Sequence, residues 1–287
     1  MSTKVAIVTG ASSGIGEATA GRLHALGYSV YAAARRVNRM ASLAEAGVRP
    51  IKLDLTDDAS MVRCVDDVIA DSGRIDVLVN NAGYGSYGSV EDVPISEARR
   101  QFDVNVFGLG RLTQLVLPHM REQRSGHIVN ISSMGGKIHE PLGGWYHSTK
   151  FAVEGLSDCL RMELAPLGIH VVVIEPGAIR TEWSGIAADS LVTTSGSGAY
   201  ADQAARVAKV LRSGAGDTGR GSSPDVVANA VAKAVASRRP KTRYAVGTGV
   251  KPLLFARRVL SDRGFDRLMR LVYRVAGRSR EPQGQHS

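Results

Sequence analysis

Short apolar runs, most of them rich in β-branched residues, recur along the chain and alternate with longer segments of helical periodicity. A run that is apolar at nearly every position is typical of a parallel strand that is covered on both faces. The pattern predicts seven strands, at residues 5–9, 29–34, 50–53, 76–79, 127–131, 169–174 and 243–246.

The segments between the strands predict helices, because their apolar residues recur every three or four positions. In residues 57–71, for example, Met61, Val65 and Val68 share one stripe. One further predicted helix follows a glycine-rich loop at 10–16 and ends at Leu26. Three others occupy residues 95–121, 145–164 and 224–237. This alternation predicts an α/β fold in one domain, residues 1–250, with a Rossmann-type doubly wound parallel sheet flanked by helices.

Residues 183–222 interrupt the alternation with a segment rich in Ser, Gly, Thr and Ala. We expect loops at 193–198 and 213–221, with a helix at 199–211 between them. A long mobile segment after the last core crossover is typical of a lid over a substrate. A tolerated surface insertion is the alternative interpretation.

The positive charge of the chain is concentrated near its C-terminus. The chain has 287 residues and a formal net charge of +9, and residues 238–280 hold thirteen Lys and Arg against Asp262 and Asp266. The rest of the chain is therefore slightly acidic. This argues against the continuous basic groove of a nucleic-acid-binding protein, so we expect no nucleic acid partner.

The basic segment at 251–277 also carries apolar residues, and it predicts an amphipathic helical extension. Such an element can bind an anionic membrane surface. Alternatively, it packs on the body as a pair of helices with a solvated arginine face. Residues 278–287 are expected to form a disordered tail.

The two cysteines, Cys64 and Cys159, lie far apart with no Cys-x-x-Cys spacing, which argues against a disulfide framework or a zinc finger. His139 and Glu140 have no partner at metal-ligand spacing, so we expect no metal site. No apolar stretch reaches the roughly 18–20 residues that span a bilayer, and the start of the chain does not resemble a secretory signal. We expect a cytoplasmic protein, with contact at a membrane surface as the open alternative.

A glycine-rich loop, Thr9-Gly-Ala-Ser-Ser-Gly-Ile-Gly16, joins the first predicted strand to the first predicted helix. Glycines let the backbone turn tightly and approach a ligand, and free N–H groups at a helix N-terminus face an anion. The loop therefore predicts a pyrophosphate site, although its spacing differs from the plain G-x-G-x-x-G pattern. Its candidate cofactor-binding residues are Gly10, Ser12, Ser13, Gly14, Ile15 and Gly16.

The end of the second predicted strand favours NADP(H) over NAD(H). A site for NAD(H) usually places an acidic residue here to bind the ribose 2′-hydroxyl, but this chain has Ala34 followed by Arg35 and Arg36. Two guanidinium groups offer permanently charged donors to a 2′-phosphate. The alternative is that both arginines are solvated surface residues.

Tyr146 and Lys150 are four residues apart on a predicted helix, so their side chains share one face. A phenol with a pKa of about 10 transfers protons poorly at neutral pH, and a neighbouring ammonium lowers that pKa. Ser132 and Ser133 directly follow the fifth predicted strand, at the edge where α/β sheets bind their ligands. Taken alone, the Tyr146–Lys150 spacing is more typical of a surface pair, and a site for proton transfer is the alternative interpretation.

Four motifs, taken together, resemble those of the short-chain dehydrogenase/reductase superfamily in order and spacing. They are Thr9-Gly-x-x-x-Gly14-x-Gly16, Asn80-Asn-Ala-Gly83, Tyr146-x-x-x-Lys150 with Ser133 thirteen residues upstream, and Pro176-Gly177. The resemblance extends over about residues 4–182. It implies a Rossmann-type oxidoreductase that transfers a hydride between a nicotinamide cofactor and an alcohol or carbonyl group.

The resemblance also implies a role for each matching residue. Tyr146 would be the general acid/base, Ser133 would hydrogen-bond the substrate oxygen, and Lys150 would bind the nicotinamide ribose and lower the pKa of Tyr146. Asn105 matches the asparagine that positions a water in the proton relay. Further residues that match cofactor-contacting positions of the family are Asp54, Leu55, Asn81, Ala82, Gly83, Pro176, Gly177, Ile179 and Thr181.

The overall pattern is similar to the branch that contains 17β-hydroxysteroid and retinol dehydrogenases and lipid ketone reductases. The residues that flank the reactive region and are expected to line an apolar pocket, or else to belong to the ordinary core, are Met134, Ile138, Leu142, Trp145 and Trp183. The sequence therefore predicts an NADP(H)-dependent oxidoreductase for a small hydrophobic ketone or secondary alcohol that is steroid-, retinoid- or lipid-like.

Two other functions stay open from the sequence. One is a 3-oxoacyl thioester reductase, and the other, from a different class, is a non-catalytic NADP(H)-binding or sensing protein. The basic extension is expected to obstruct the tetramer contacts that are common in shorter family members. We therefore expect a homo-oligomer, with a dimer favoured.

Overall fold

The computed structural model describes residues 3–213 and 221–278. Within them, seven strands form one parallel sheet in the order β3-β2-β1-β4-β5-β6-β7. The strands are β1 (Val5–Thr9), β2 (Ser29–Ala34), β3 (Arg49–Lys52), β4 (Val77–Asn80), β5 (Gly126–Ile131), β6 (Ile169–Pro176) and β7 (Arg243–Val246). Each coincides with a predicted strand, and their ends differ from the prediction by at most two residues.

Helices cover both faces of this sheet, which confirms the doubly wound α/β fold. They are α1 (Gly14–Ala25), α2 (Ala41–Glu45), α3 (Asp58–Ser72), α4 (Ile95–Phe102), α5 (Leu109–Gln123), α6 (Gly144–Leu164), α7 (Glu182–Ser195), α8 (Ala201–Ser213), α9 (Asp225–Ala236), α10 (Val250–Val259) and α11 (Asp262–Arg278). Apolar residues of α1, α2 and α9 pack on one face of the sheet. Those of α3, α5 and α6 pack on the other.

The strand order reverses between β1 and β4, which are neighbours in the middle of the sheet. In open α/β sheets, ligands bind in the crevice outside the carboxyl ends of the strands at such a switch point. The glycine-rich loop after β1 and the segment after β4 therefore lie together at one edge of the sheet.

The segment 183–222 is more regular than its composition predicts. It contains most of α7 and all of α8, so the loop expected at 193–198 is wrong for its first three residues, which belong to α7. Ala187, Ala188 and Leu191 of α7 are fully buried and pack against an apolar stripe of α8. Burial of this stripe outweighs the weak helix propensity of the Ser and Thr residues. The loop expected at 213–221 lies almost entirely outside the described residues.

A short helical segment between β2 and β3 was not predicted. A 3-10 turn at Val37–Met40 leads into α2, and Met40 and Leu43 are buried in the same core as α1. Two buried residues give too short a pattern for helical periodicity to be recognised. The helix predicted at 95–121 is present as α4 and α5, which are joined by a π-helical turn at Asp103–Gly108.

The C-terminal extension forms α10 and α11, as its amphipathic pattern predicts. Phe265, Met269 and Tyr273 of α11 are buried and belong to the same apolar cluster as α7 and α8. One face of α11 is thus packed on the body. Arg278 ends α11, so the disordered tail expected from 278 is wrong for that residue, and 279–287 lie outside the described residues. In the part of the chain that the structure describes, no helix is long and apolar enough to cross a bilayer.

Candidate active site

Tyr146 and Lys150 lie in the first two turns of α6, and both side chains are buried. They share one side of the helix, with Lys150 Nζ 6.0 Å from the centre of the Tyr146 ring. The Lys150 ammonium donates a hydrogen bond of 2.8 Å to the carbonyl of Ile131, the last residue of β5. This bond holds the ammonium at the carboxyl edge of the sheet, beside the crevice.

Ser133 follows β5 and caps the short 3-10 turn at Met134–Gly136. Its Oγ accepts a hydrogen bond of 3.0 Å from the N–H of Gly135, and the nearby Ser133 hydroxyl favours a lower pKa of the Tyr146 phenol. Ser132 instead donates its N–H to the Ile174 carbonyl at 2.9 Å, which extends the pairing of β5 with β6. Of the two serines, Ser133 is the one that affects the pKa of the phenol.

Burial dominates the acid–base properties of the Tyr146–Lys150 pair. It raises the pKa of Tyr146 well above its usual value, although the Ser133 hydroxyl acts in the opposite direction. Burial also lowers the pKa of Lys150 to about 8, because the ammonium loses hydration, although the charge of Glu154 opposes this shift. The expected lowering of the Tyr146 pKa is therefore wrong, and the phenol is protonated at neutral pH.

Asn105 lies in the π-helical turn between α4 and α5, and its side chain is buried. Its Nδ2 donates hydrogen bonds to the Tyr84 carbonyl at 2.9 Å and to Thr149 Oγ1 at 3.1 Å, and its Oδ1 accepts one from the Tyr84 N–H at 3.1 Å. A β-carbon added at Gly83 would lie 3.0 Å from Asn105 Oδ1 and 4.0 Å from Lys150 Nζ. The structure thus brings Asn105, Gly83 and Lys150 together, at a π turn of the kind often found at functional sites.

Close packing explains the glycines of the loop after β1. Gly10 and Gly14 have φ angles of +67° and +59°, in the left-handed region that favours glycine. A β-carbon at Gly16 would lie 2.3 Å from the Gly10 carbonyl oxygen, so no side chain fits there. Ser12 and Ser13 precede α1, and the first N–H groups of that helix, including that of Ile15, are the donors that a helix start offers to an anion.

Thr9, the last residue of β1, holds the glycine loop against the segment after β4. Its Oγ1 accepts hydrogen bonds from the N–H of Asn81 at 2.9 Å and of Ala82 at 3.0 Å. The Asn81 side chain in turn donates from Nδ2 to the Thr9 carbonyl at 2.8 Å. A β-carbon at Gly10 would lie 2.8 Å from Ala82 Cα, so the two segments are in close contact.

Arg35 and Arg36 follow β2 directly, and both are exposed. Among the described residues, no side-chain hydrogen bond or ion pair is formed by either guanidinium group. Arg39, by contrast, forms a bidentate ion pair with Glu182 at the start of α7, with N–O distances of 2.7 and 3.2 Å. Two guanidinium groups are thus available to an anion at this edge of the sheet.

Asp54 and Leu55 lie just after β3. Asp54 Oδ1 accepts hydrogen bonds from the N–H and the hydroxyl of Thr56, at 3.0 and 2.8 Å, which holds its carboxylate in a turn. A β-carbon at Gly108 would lie 2.6 Å from the Leu55 carbonyl oxygen, so Leu55 packs closely against the start of α5.

The segment after β6 closes the opposite side of the crevice. Pro176 ends β6, and the Gly177 N–H continues the pairing with β7. Ile179 is buried, and Thr181 caps α7 by accepting a hydrogen bond from its first turn. A β-carbon at Gly14 would lie 2.9 Å from Thr181 Cγ2, so the start of α7 contacts the glycine loop.

Aromatic side chains pack around the ring of Tyr146. Its centre lies 5.0 Å from that of Trp183, 5.7 Å from that of Tyr87 and 5.7 Å from that of His147. Of the residues expected to flank the reactive region, those that share an apolar cluster with Tyr146 are Met134, Ile138, Leu142 and Trp183. Trp145 lies outside that cluster.

Sequence reasoning missed several residues that support the site. The position of Thr9 directly before the first glycine of the loop was a local signal for its role. Tyr87, Thr149 and the Arg39–Glu182 pair carry no such signal, because their contacts join distant segments. Among the described residues, no group of three or more His, Cys, Asp and Glu is arranged to hold a metal ion.

Comparison with known proteins identifies the family. A family model described as short chain dehydrogenase matches residues 4–189. Over 277 residues the chain is 35% identical to a 3-ketodihydrosphingosine reductase from Bacteroides thetaiotaomicron, an alignment that covers 96% of this chain and 100% of the relative.

Solved structures agree with the sequence comparison. The crystal structure of a short-chain dehydrogenase from Streptomyces avermitilis matches with a TM-score of 0.79 at 35% identity, covering 97% of this chain and 99% of that one. A metagenomic short-chain oxidoreductase in complex with NADP matches with a TM-score of 0.67 at 28% identity, covering 86% and 97%. The chain therefore belongs to the short-chain dehydrogenase/reductase family and is an oxidoreductase.

Proposed function

We propose that the protein is an NADP(H)-dependent carbonyl reductase that transfers a hydride between the cofactor and a hydrophobic ketone or secondary alcohol. The environment of the Tyr146 phenol carries this proposal. The phenol is buried, close to the Lys150 ammonium and surrounded by aromatic rings, and Ser133 influences its pKa. In this proposal Tyr146 is the general acid/base, and Ser133 and Tyr146 bind the substrate oxygen.

The protonated state of the Tyr146 phenol suits the reducing direction. A carbonyl oxygen that becomes an alcohol must gain a proton, and a phenol that is protonated at neutral pH can donate one from Oη. The Ser133 hydroxyl offers a second hydrogen bond that orients the carbonyl. The Lys150 ammonium stabilises the phenolate that proton donation leaves, and Asn105 positions a water that returns the proton.

The crevice at the carboxyl edge of the sheet suits a nicotinamide dinucleotide. Its glycine loop admits no side chain at Gly16 and leads into the N-terminus of α1, where backbone donors suit a pyrophosphate. The cofactor, when bound, supplies or accepts the hydride. In addition to Gly10, Gly14 and Gly16, the residues proposed to hold it are Ser12, Ser13, Ile15, Asp54, Leu55, Asn81, Ala82, Gly83, Tyr146, Lys150, Pro176, Gly177, Ile179 and Thr181.

The preference for NADP(H) over NAD(H) rests on the end of β2. Ala34 lacks the carboxylate that would bind a ribose 2′-hydroxyl, and the guanidinium groups of Arg35 and Arg36 are exposed without a hydrogen bond or ion pair to the described residues. We propose that their guanidinium groups bind the 2′-phosphate, since bidentate charged donors suit that group. We do not propose this role for Arg39, the next arginine in the chain, because its guanidinium group forms an ion pair with Glu182.

A lipid-like ketone is the proposed substrate class. Tyr87, Leu142 and Trp183 form an apolar wall around Tyr146. The similarity to a protein named 3-ketodihydrosphingosine reductase supports a ketone on a long apolar chain. We propose that α7 and α8, within 183–222, form the lid over this wall.

A substrate panel tests the proposal. The purified protein is assayed with NADPH and, in parallel, with NADH on a steroid ketone, a retinoid, a long-chain lipid ketone and a 3-oxoacyl thioester. We expect the highest kcat/KM with NADPH and a hydrophobic ketone. A clear preference for the thioester would overturn the substrate class in favour of a 3-oxoacyl thioester reductase. NADPH binding without turnover on any compound would favour a sensing protein.

Contact with an anionic membrane surface is proposed for the outer faces of α10 and α11, in a cytoplasmic protein. Phe255, Val259 and Leu271 are 67%, 59% and 55% exposed although they are large and apolar. The same helices carry Arg257, Arg258, Arg263, Arg267, Arg270 and Arg274. We expect binding to phosphatidylserine vesicles that weakens with salt and is lost in a Phe255→Ser/Leu271→Ser variant. Equal binding to neutral vesicles would contradict an electrostatic contribution.

A homodimer is proposed through α6. Phe151 and Met162 are 47% and 76% exposed, and their spacing of eleven residues places them on one stripe of the helix. Exposed large apolar residues on one stripe are typical of a contact between subunits. Light scattering should give the mass of a dimer for the natural chain and of a monomer for Phe151→Glu/Met162→Glu.

A further inference from the structure

A carboxylate whose side chain is only 13% exposed, that of Glu140, lies beside the active site and has no part in the proposed proton transfer. Glu140 precedes α6, and its Oε1 accepts a hydrogen bond of 2.6 Å from the Tyr87 hydroxyl. Its Oε2 accepts a hydrogen bond from the hydroxyl of Tyr273 in α11, and His147 Nε2 lies 3.4 Å from its Oε1. One carboxylate thus collects three partners from three separate segments of the chain.

The surroundings of His147 in this cluster favour the protonated form of its ring. Its Nδ1 lies 2.8 Å from the Gly135 carbonyl, which can only accept, so Nδ1 carries a hydrogen. In a neutral ring, the lone pair of Nε2 would then face the carboxylate of Glu140. Burial lowers the pKa of His147, but Glu140 more than reverses this effect, and the net shift is upward. Burial raises the pKa of Glu140, and its three donors overcome this and lower it to about 2.

Two of the three partners of Glu140 contact the ring of Tyr146. The rings of Tyr87 and His147 both lie 5.7 Å from it, centre to centre. Tyr87 also meets Trp183 edge-on at 6.0 Å. The carboxylate of Glu140 therefore contacts both Tyr87 and His147 and fixes these two residues next to the ring of Tyr146.

The third partner comes from the C-terminal extension. Tyr273 is 133 residues from Glu140 in the chain, and its side chain is buried together with Phe265 and Met269 of the same helix. Docking of α11 therefore adds a polar bond to Glu140 to a contact that is largely apolar and that also includes Asp266 Oδ1, 2.9 Å from His139 Nε2. That bond occupies the carboxylate oxygen that Tyr87 and His147 leave free.

We propose that Glu140 is a positioning residue for Tyr146 and that α11, through Tyr273, is a working part of the substrate cleft. This inference rests on the proposed function of Tyr146. Glu140 fixes Tyr87 and His147 against the ring of Tyr146, and Tyr273 fixes the orientation of the Glu140 carboxylate. The wall that a bulky hydrophobic substrate meets thus depends on the docking of α11.

A single-atom change tests the role of α11. Tyr273→Phe removes only the hydroxyl, and Phe265 and Met269 keep the helix packed. We expect KM for a bulky hydrophobic ketone to rise about threefold to tenfold, while kcat and NADPH affinity stay within a factor of about two. Tyr244→Phe is the matched control, because its hydroxyl accepts a hydrogen bond from the Lys241 N–H at the far end of β7. Equal KM values for both variants would overturn the proposal.

Hydrogen exchange tests the linkage without any need for turnover. In Glu140→Gln and in Tyr273→Phe, we expect amides of α11, of residues 84–88 and of the first turns of α6 to lose protection together. Loss confined to α11, or no loss, would overturn the proposal. If the three segments respond together but the natural chain reduces no ketone, the proposed function fails while the linkage stands. Should Glu140→Gln fail to fold, Tyr273→Phe supplies the same comparison.

Discussion

The cofactor side and the substrate side of the crevice are built in different ways. On the cofactor side, Gly10, Gly14 and Gly16 all lie in the short loop after β1 and the first turn of α1, and Arg35 directly follows β2, which pairs with β1. On the substrate side, the surroundings of Tyr146 come from α7, α11 and the segments at 84–88 and 134–143. Short motifs mark the first side in the sequence, although Ala82 and Thr181 from later in the chain also contact its glycines. The second side has no such motif and is formed by the packing of distant segments.

This difference separates what can change independently. A residue of the glycine loop is constrained by backbone a few positions away, as the 2.3 Å approach at Gly16 illustrates. A residue of the apolar wall is constrained by side chains such as Tyr273, more than a hundred positions away. We therefore expect mutations on the cofactor side to change cofactor affinity for all substrates, and those on the substrate side to change KM for particular substrates.

Gly16→Ala tests the cofactor side most severely. The added β-carbon would meet the Gly10 carbonyl, so the loop must shift, and we expect the NADPH Kd to rise about tenfold to a hundredfold. Fluorescence titration with NADPH measures this. Gly21→Ala on the same helix is the control, since its β-carbon would have no heavy atom nearer than 3.9 Å. Equal losses of affinity in both variants would mean that helix α1, not the loop, limits binding.

Arg35→Ala sharpens the comparison within the cofactor side. Loss of a charged hydrogen bond to a 2′-phosphate should raise the NADPH Kd about tenfold and leave the NADH Kd unchanged. Arg238→Ala, an exposed arginine before β7 at the opposite edge of the sheet, should change neither value. An NADH Kd that rises as much as the NADPH Kd would contradict recognition of the 2′-phosphate.

The pH profile of reduction gives the smallest effect. Since burial lowers the pKa of Lys150 to about 8, its ammonium is lost as the pH rises through that value. The raised pKa of Tyr146 keeps the phenol protonated over the same range. We expect kcat/KM to be halved at about pH 8 and to fall further above it. In Lys150→Arg, which stays charged, this fall should disappear. A natural chain whose kcat/KM stays constant a full unit above that pKa would contradict the assignment.

The sequence predicted the fold and the centre of the candidate site because both depend on short-range patterns. The seven strands were visible as apolar runs, and the spacing of Tyr146 and Lys150 placed them on one face of α6. It did not predict α7, whose Ser- and Thr-rich sequence becomes helical because Ala187 and Leu191 are buried by α8. Nor did it predict the direction of the Tyr146 pKa, which follows from burial.

The same limit applies to Glu140. From the sequence, Glu140 was considered only as a metal ligand, and it had no partner at a suitable spacing. Its role in the cluster was not visible, because the hydroxyls that bind it belong to Tyr87 and Tyr273, which are 53 and 133 positions away. A pairwise contact of this kind leaves no periodicity or spacing that one sequence can reveal. Its role follows from the packing of three segments around one carboxylate.

The proton-donating role of Tyr146 is the centre of this account, and Tyr146→Phe tests it most directly. NADPH-dependent reduction of a hydrophobic ketone is compared between the natural chain and this variant, with NADPH affinity measured alongside and Tyr28→Phe as a control outside the site. We expect kcat to fall about 10²- to 10⁴-fold with the NADPH Kd unchanged. Undiminished turnover by Tyr146→Phe would contradict the account.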